Sequence, residues 1–234
     1  MTELHSKKSA LLAGATGAVG SKLLHKLLRS NKYSRIIILS RRELDITLPL
    51  IEVQLVNFDN LADSKINGPV DDVFCCLGTT RKKAGSLEAF KQVDLTYVVS
   101  LARFATRLNA ETFSVISSLG ADAQSSNAYL KTKGEMEQFL TTLQLPALYI
   151  YRPSLLHGER SEFRLLENIG YWTLTLFSPL FFGKMAKYRP VETEQLAQMM
   201  VETALNYSDK KAAPNVTIFE SDEILAHANN KSHL

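Results

Sequence analysis

Eleven residues near the N-terminus limit what this chain can become: Ala10-Leu11-Leu12-Ala13-Gly14-Ala15-Thr16-Gly17-Ala18-Val19-Gly20. The apolar run ending at Ala13 reads as a buried β-strand, and three glycines spaced three apart then lead into a helical pattern. A helix that begins in a tight turn points its first backbone N–H groups, unpaired within the helix and at the positive end of its dipole, at whatever lies above the turn. Thr16, Gly17, Ala18, Val19 and Gly20 therefore predict an anion site, typically for a pyrophosphate. Each glycine has a use: one allows the turn, one lets the backbone approach the phosphates, and one lets the helix pack close to the strand. The spacing is G-x-x-G-x-x-G, not the G-x-G-x-x-G of the usual dinucleotide fingerprint, so the strand before and the helix after carry the reading.

The rest of the chain repeats that alternation. Val19, Leu23, Leu24, Leu27 and Leu28 recur at helical spacing, and Arg35–Leu39 is an apolar, β-branched run that reads as a second buried strand. Further strands are expected at Ile51–Val56, Val73–Leu77, Phe113–Ile116 and Ala147–Tyr151, with helices over Leu87–Leu108 and Glu192–Asn206 and a final strand at Val216–Phe219. Strands alternating with helices predict an α/β fold, a doubly wound parallel sheet. At 234 residues, 45% hydrophobic and 22% charged, the chain suits a single domain over 1–234. Within it, 1–8 and 228–234 are expected as flexible ends and 154–190 as a small substrate or lid region.

The segment 169–183 is rich in Trp, Phe and Leu and carries Pro179. It is too short and too interrupted to span a membrane, which leaves a lid or protein-partner surface, or a buried core segment, as its readings. Membrane-surface contact is the weaker option, since a strongly cationic flank is missing. A net charge of +3 without a basic stripe argues against nucleic acid. Cys75 and Cys76 are adjacent, so strand alternation sends them to opposite faces, which argues against a disulfide, and they give no metal-ligand spacing. With polar residues 1–8 lacking the apolar core of an export signal, these cysteines lead to the expectation of a reducing cytoplasm.

The end of the second strand selects the dinucleotide. An acid there would bond the ribose of NAD, but the chain reads Ser40-Arg41-Arg42. Two guanidiniums can hold the 2′-phosphate of NADP, or one can stack on adenine; a solvated loop with two surface arginines is the alternative. Asp59, just past the third strand, either accepts a hydrogen bond from the adenine amino group or caps the following turn. Leu77 and the small-residue turn Gly78-Thr79-Thr80 lie where a cofactor ribose meets the carboxyl end of a strand. Tyr129 and Lys133, spaced i and i+4, share one helix face. An ammonium that close to a phenol favours the phenolate, which equips the tyrosine as an acid toward a carbonyl or a base toward an alcohol. A serine near the end of the fifth strand can bond the same oxygen.

With Gly14–Gly20, Phe74–Gly85, Val93-Asp94, Ser117–Asp122, Tyr129–Gly134 and Arg152-Pro153 in view, the chain resembles the short-chain dehydrogenase/reductase superfamily over roughly residues 9–206. Within it the chain is similar to the atypical branch and its Tat-interacting-protein-like group, and the stretch Cys75-Cys76-Leu77-Gly78-Thr79-Thr80-Arg81 is the most specific part. The resemblance implies a Rossmann fold binding NADP(H), with Ser118, Tyr129 and Lys133 as the catalytic serine, tyrosine and lysine and Ser117 as the runner-up for the serine. It implies that Lys133 also holds the nicotinamide ribose and that Pro153 and Leu155 contact the nicotinamide. Asp94 stands where many members carry an asparagine of a proton relay, which puts the relay in doubt. Two functions follow: an NADPH-dependent reductase of a small carbonyl substrate, or an NADPH-binding sensor or scaffold with little turnover. The long Leu87–Leu108 helix is a candidate homodimer interface.

Overall fold

The computed structural model of the chain describes residues 7–157, 188–209 and 216–229. Among the described residues, nine strands and the helices around them follow in this order. β1 (Lys8–Ala13), α1 (Ala18–Arg29), β2 (Tyr33–Ser40) and β3 (Ile51–Leu55) come first, then a 3₁₀ segment, Phe58–Asp63. β4 (Asp72–Cys75), α2 (Arg81–Ala84) and α3 (Leu87–Lys91) lead through a π-helical turn, Gln92–Thr96, into α4 (Tyr97–Arg107). β5 (Thr112–Ile116), α5 (Ala128–Thr141), β6 (Ala147–Arg152), β7 (Leu156–His157), β8 (Val191–Glu192), α6 (Thr193–Leu205), β9 (Val216–Glu220) and α7 (Ser221–Asn229) complete it.

Seven strands form one sheet in the order β3-β2-β1-β4-β5-β6-β9, every neighbouring pair parallel. Alternate residues feed two cores. Ala10, Leu12, Ile36, Ile38 and Phe74 pack against α1 and α6, while Leu11, Ala13, Ile37, Leu39 and Val73 pack on the face that carries α4 and α5. Cys75 and Cys76 fall into opposite cores, as alternation requires. Chain order reverses between β1 and β4, so a crevice opens over their carboxyl ends, the place where open α/β sheets bind ligands.

β2, β5, β6 and β9 extend past their expected ends because ladder hydrogen bonds reach polar residues, whereas β3 and β4 stop at Leu55 and Cys75, short of the expected Val56 and Leu77. Lys8, placed among the flexible N-terminal residues by composition, is paired with Tyr33 in β1. The expected Leu87–Leu108 helix is interrupted by the π turn, where the Tyr97 N–H reaches back to the Gln92 carbonyl. Ala228 and Asn229, expected in a flexible tail, end α7. The parallel pair β7–β8 had no signal in its two-residue strands. The segment 169–183 lies outside the described residues, as do residues 1–6 and 230–234. Among the described residues no helix is long and apolar enough to cross a membrane.

Candidate functional site

The glycine turn is built as its spacing demands. Gly14 has φ +87°, a left-handed conformation, and a Cβ on it would lie 2.5 Å from the Cys76 carbonyl oxygen. A Cβ on Gly20 would overlap the Gly14 carbonyl, so the first turn of α1 packs directly on the loop. The Gly17 N–H donates to the Gly14 carbonyl at 3.0 Å and the Ser21 N–H to that of Gly17 at 3.0 Å. Gly17 caps α1 without a side chain, and no acidic residue stands in the first turn. The N–H groups of Ala18, Val19 and Gly20 are thus left for an anion. The side chain of Val19 itself is buried in the core.

Above this turn lies an open cleft of about 470 Å³, walled by Gly14, Thr16 and Gly17 on one side and Leu77, Gly78 and Thr79 on the other. Arg41 lines it; Arg42 does not, its backbone being tied into a local turn with the Ser40 hydroxyl. Lys83, from the stretch Phe74–Gly85, also lines the cleft, as do Phe58, Gln92 and Tyr97, which no sequence motif marked. Thr80 stays outside the lining and caps α2, its Oγ1 accepting the Lys83 N–H at 3.1 Å. Asp59 does not make the cap expected of it and does not line the cleft. Asn57 Oδ1 makes the cap, and the Asp59 carboxylate accepts from Gln92 Nε2 (2.6 Å) and the Tyr97 hydroxyl (3.2 Å), fastening the 3₁₀ segment to the helix beside the cleft. A cleft with orphaned helix N–H groups, side-chain-free glycines and a guanidinium at its far end fits a dinucleotide.

A smaller chamber of about 30 Å³ shares the wall Cys76, Leu77, Gly78 and Thr79 with the cleft. Tyr129, Lys133, Asp94, Ser117, Pro153, Ser154 and Leu155 line it. Tyr129 and Lys133 sit at the start of α5, where Asn127 Oδ1 accepts the N–H groups of Tyr129 (2.9 Å) and Leu130 (3.2 Å). The Tyr129 ring packs 5.6 Å from that of Phe90. Gly134 follows Lys133 at the point where α5 presses on the Asp122-Ala123 backbone, which a Cβ would overlap.

The serine in the chamber is Ser117, not Ser118. Alternation decides it: Phe113 and Val115 face α5, so Ser117 follows them, whereas Ser118 falls on the other face and starts a turn. The Ser118 hydroxyl donates to the Leu119 carbonyl at 3.4 Å. Counting alternation through β5 would have found this from sequence. Ser117 Oγ donates to the buried Glu137 carboxylate, which Arg152 grips through Nε (3.1 and 3.2 Å) and Nη2 (2.6 Å). Asp94 pairs with Lys133, Oδ1 to Nζ 2.8 Å. Burial works to lower the Lys133 pKa, but Asp94, with Tyr129 and Cys75, outweighs it and holds the ammonium above the usual lysine value. Burial pushes the Cys75 thiol up to about 12.

Comparison with known proteins gives a consistent picture. The family described as NAD(P)H-binding matches residues 14–173. Protein FMP52-1, mitochondrial, of Scheffersomyces stipitis is 32% identical over 92% of this chain and 96% of its own. Protein HTATIP2 of Rattus norvegicus is 37% identical over 67% of this chain and 66% of its own. Among solved structures, an oxidoreductase of the short-chain dehydrogenase/reductase family from Burkholderia thailandensis superposes with a TM-score of 0.65 at 17% identity, over 94% of both chains. The human epimerase family protein SDR39U1 with NADPH gives 0.58 at 14% identity over 91% and 74%, and MoeE5 in complex with UDP-glucose and NAD gives 0.62 at 15% over 96% and 82%. These structures share the fold, and their titles name both dinucleotides.

The expectation of a cytoplasmic protein is overturned here. Relatives matched over most of their length, from Scheffersomyces stipitis, Candida albicans and Saccharomyces cerevisiae among others, carry mitochondrial names. The lack of an apolar export core does not bear on this, because mitochondrial targeting rests on amphipathic basic segments rather than on such a core. A pair of reduced cysteines also fits more than one compartment.

Proposed function

Because this chain belongs to the NAD(P)H-binding family as an atypical short-chain dehydrogenase/reductase of Rossmann type, we propose that it is an oxidoreductase. Its cofactor is NADP(H), and its reaction is reduction of a carbonyl, or oxidation of the alcohol, of a small substrate. One observation carries the reading: Tyr129, Lys133 and Ser117 converge in a chamber that shares the wall Cys76–Thr79 with the dinucleotide cleft.

In this reading Gly14, Thr16 and Gly17, with the N–H groups of Ala18, Val19 and Gly20, hold the pyrophosphate. Leu77, Gly78 and Thr79 floor the ribose, Thr80 fixes the turn that carries them, and Pro153 and Leu155 flank the nicotinamide. When bound, the nicotinamide supplies the hydride to the carbonyl carbon. Tyr129 gives its hydroxyl proton to the carbonyl oxygen, and Lys133 orients the ribose and the phenol. Ser117, with its proton engaged by Glu137, offers lone pairs, so it accepts from a hydroxyl and steadies the alcohol form.

The same engagement favours a second reading, an NADPH-binding sensor or scaffold with little turnover. Ser117 and Lys133 are both tied up by carboxylates of the chain itself. Incubation with NADPH and a panel of aldehydes and ketones separates the two. Nicotinamide oxidation that disappears in Tyr129→Phe supports the enzyme; tight NADPH binding without oxidation across the panel supports the sensor.

The choice of NADP over NAD rests on Arg41. Arg41→Glu is expected to weaken NADPH binding about tenfold to a hundredfold, the worth of a charge-assisted contact to phosphate, while leaving NADH binding nearly unchanged. Arg42→Glu, outside the cleft lining, should have the smaller effect. Equal losses for NADPH and NADH in calorimetric titrations would remove the 2′-phosphate assignment. The names of the relatives support a mitochondrial location, and organelle fractionation with immunodetection tests it.

A further inference from the structure

Asp94 is the charged group of the chamber to which the roles above give no task. It stands on the π-helical turn between α3 and α4, the kind of helical irregularity that recurs at functional sites. Its side chain is 2% exposed and that of Lys133 is 4% exposed. Both carboxylate oxygens are engaged: Oδ1 lies 2.8 Å from Lys133 Nζ, and Oδ2 accepts the Thr79 N–H at 2.8 Å. Lys133 Nζ also donates to the Ile116 carbonyl at 3.3 Å. Two of its three protons therefore have protein acceptors and the third is left for the chamber.

The groups that surround Lys133 come from every element packed on it. Tyr129 lies one turn earlier on α5, Cys75 ends β4, and Glu137 lies one turn later, held by Arg152 and Ser117. Among the described residues, Asp94 is the only one that forms an ion pair with Lys133. An ammonium removed from water this fully loses several kcal/mol of solvation unless a counter-charge restores it.

We propose that Asp94 is a positioning residue for Lys133: its carboxylate keeps the ammonium charged and fixed, and couples it through Thr79 to the turn that floors the dinucleotide cleft. In this role Asp94 is a counter-ion to Lys133. The inference rests on the dinucleotide reading of that cleft.

NADPH affinity, followed by nicotinamide fluorescence from about pH 7 to about pH 9.5, tests it without a known substrate. For the native chain the affinity should be flat across that range. Asp94→Asn keeps the shape and an acceptor for Thr79 but leaves Lys133 buried without its charge partner, a setting that lowers a lysine pKa into this window. Its affinity should fall about tenfold or more toward high pH and recover as the pH is lowered. Native-like affinity at every pH in Asp94→Asn, or a uniform loss with no pH dependence, overturns the inference while leaving the cofactor reading intact. No NADPH binding by the native chain overturns both. If Asp94→Asn fails to fold, Lys133→Met and the double variant Asp94→Asn/Lys133→Met decide the point. Equal affinities are expected if Asp94 acts through Lys133, and a further loss in the double variant overturns it.

Discussion

Tyr129→Phe is expected to lower turnover by a factor on the order of 10²–10⁴, the usual contribution of a positioned proton donor, while NADPH affinity changes little. The substitution removes one hydroxyl and nothing else that holds the site together. The ring remains to pack 5.6 Å from Phe90, and the Asn127 cap of α5 engages backbone N–H groups only. The ion pair of Lys133 with Asp94 does not involve the phenol. Thermal unfolding should therefore be unchanged, which separates lost chemistry from lost structure. Single-turnover oxidation of bound NADPH is the measurement, and native-like rates in the variant would place the proton donor elsewhere.

Asp72→Ala is expected to cost about 3–5 kcal/mol of stability, which for a chain of this length lowers the melting temperature by about 6–20 °C. Asp72 is fully buried at the start of β4, at the end of the sheet opposite the cleft. Its carboxylate accepts from the Tyr33 hydroxyl (2.8 Å), Thr112 Oγ1 (2.9 Å) and Lys8 Nζ (3.2 Å), so it joins β1, β2, β4 and β5. Alanine leaves the Tyr33 and Thr112 hydroxyls buried without acceptors and Lys8 with Glu111 as its remaining partner. Burial pushes the Asp72 carboxyl above its ordinary value, against the opposing pull of Lys8, Tyr33 and Thr112. A neutral acceptor of the same shape avoids that desolvation, so Asp72→Asn should cost much less than Asp72→Ala. Calorimetric melting of both variants checks this, and equal melting temperatures for the two would show that the hydroxyls do not need the acceptor.

The parallel sheet was legible because its strands are buried on both faces and so read as short apolar runs, Ile36–Leu39 being the clearest. The glycine turn was legible because Gly14 and Gly20 occupy positions where a Cβ has no room. What resisted reading depends on a frame the sequence does not display. The assignment of Ser118 over Ser117 failed to carry alternation through the end of β5. The pairing of Asp94 with Lys133 requires the π turn, and periodicity of 3.6 residues does not announce a π turn. Asp59 was read against the adenine or the following turn, but its partners Gln92 and Tyr97 are far along the chain. Of Arg41 and Arg42, adjacent in sequence, backbone direction after β2 brings one to the cleft.

Strand β9 gives the sheet a schedule during synthesis. It is the last of the described strands, and it pairs with β6 from Leu148↔Val216 to Arg152↔Glu220, just before the segment that lines the chamber. Glu220 receives Arg152 Nη1 at 2.8 Å, and the Ser221 hydroxyl accepts the Ser154 N–H at 3.2 Å. Until these residues leave the ribosome, β6 is a bare sheet edge, Arg152 lacks one of its carboxylates, and the Ser154 N–H lacks its acceptor, while Leu119 and Val191 already hold the carbonyls of Pro153 and Leu155. A nascent chain can thus complete the crevice between β1 and β4 before it completes the sheet edge at β6.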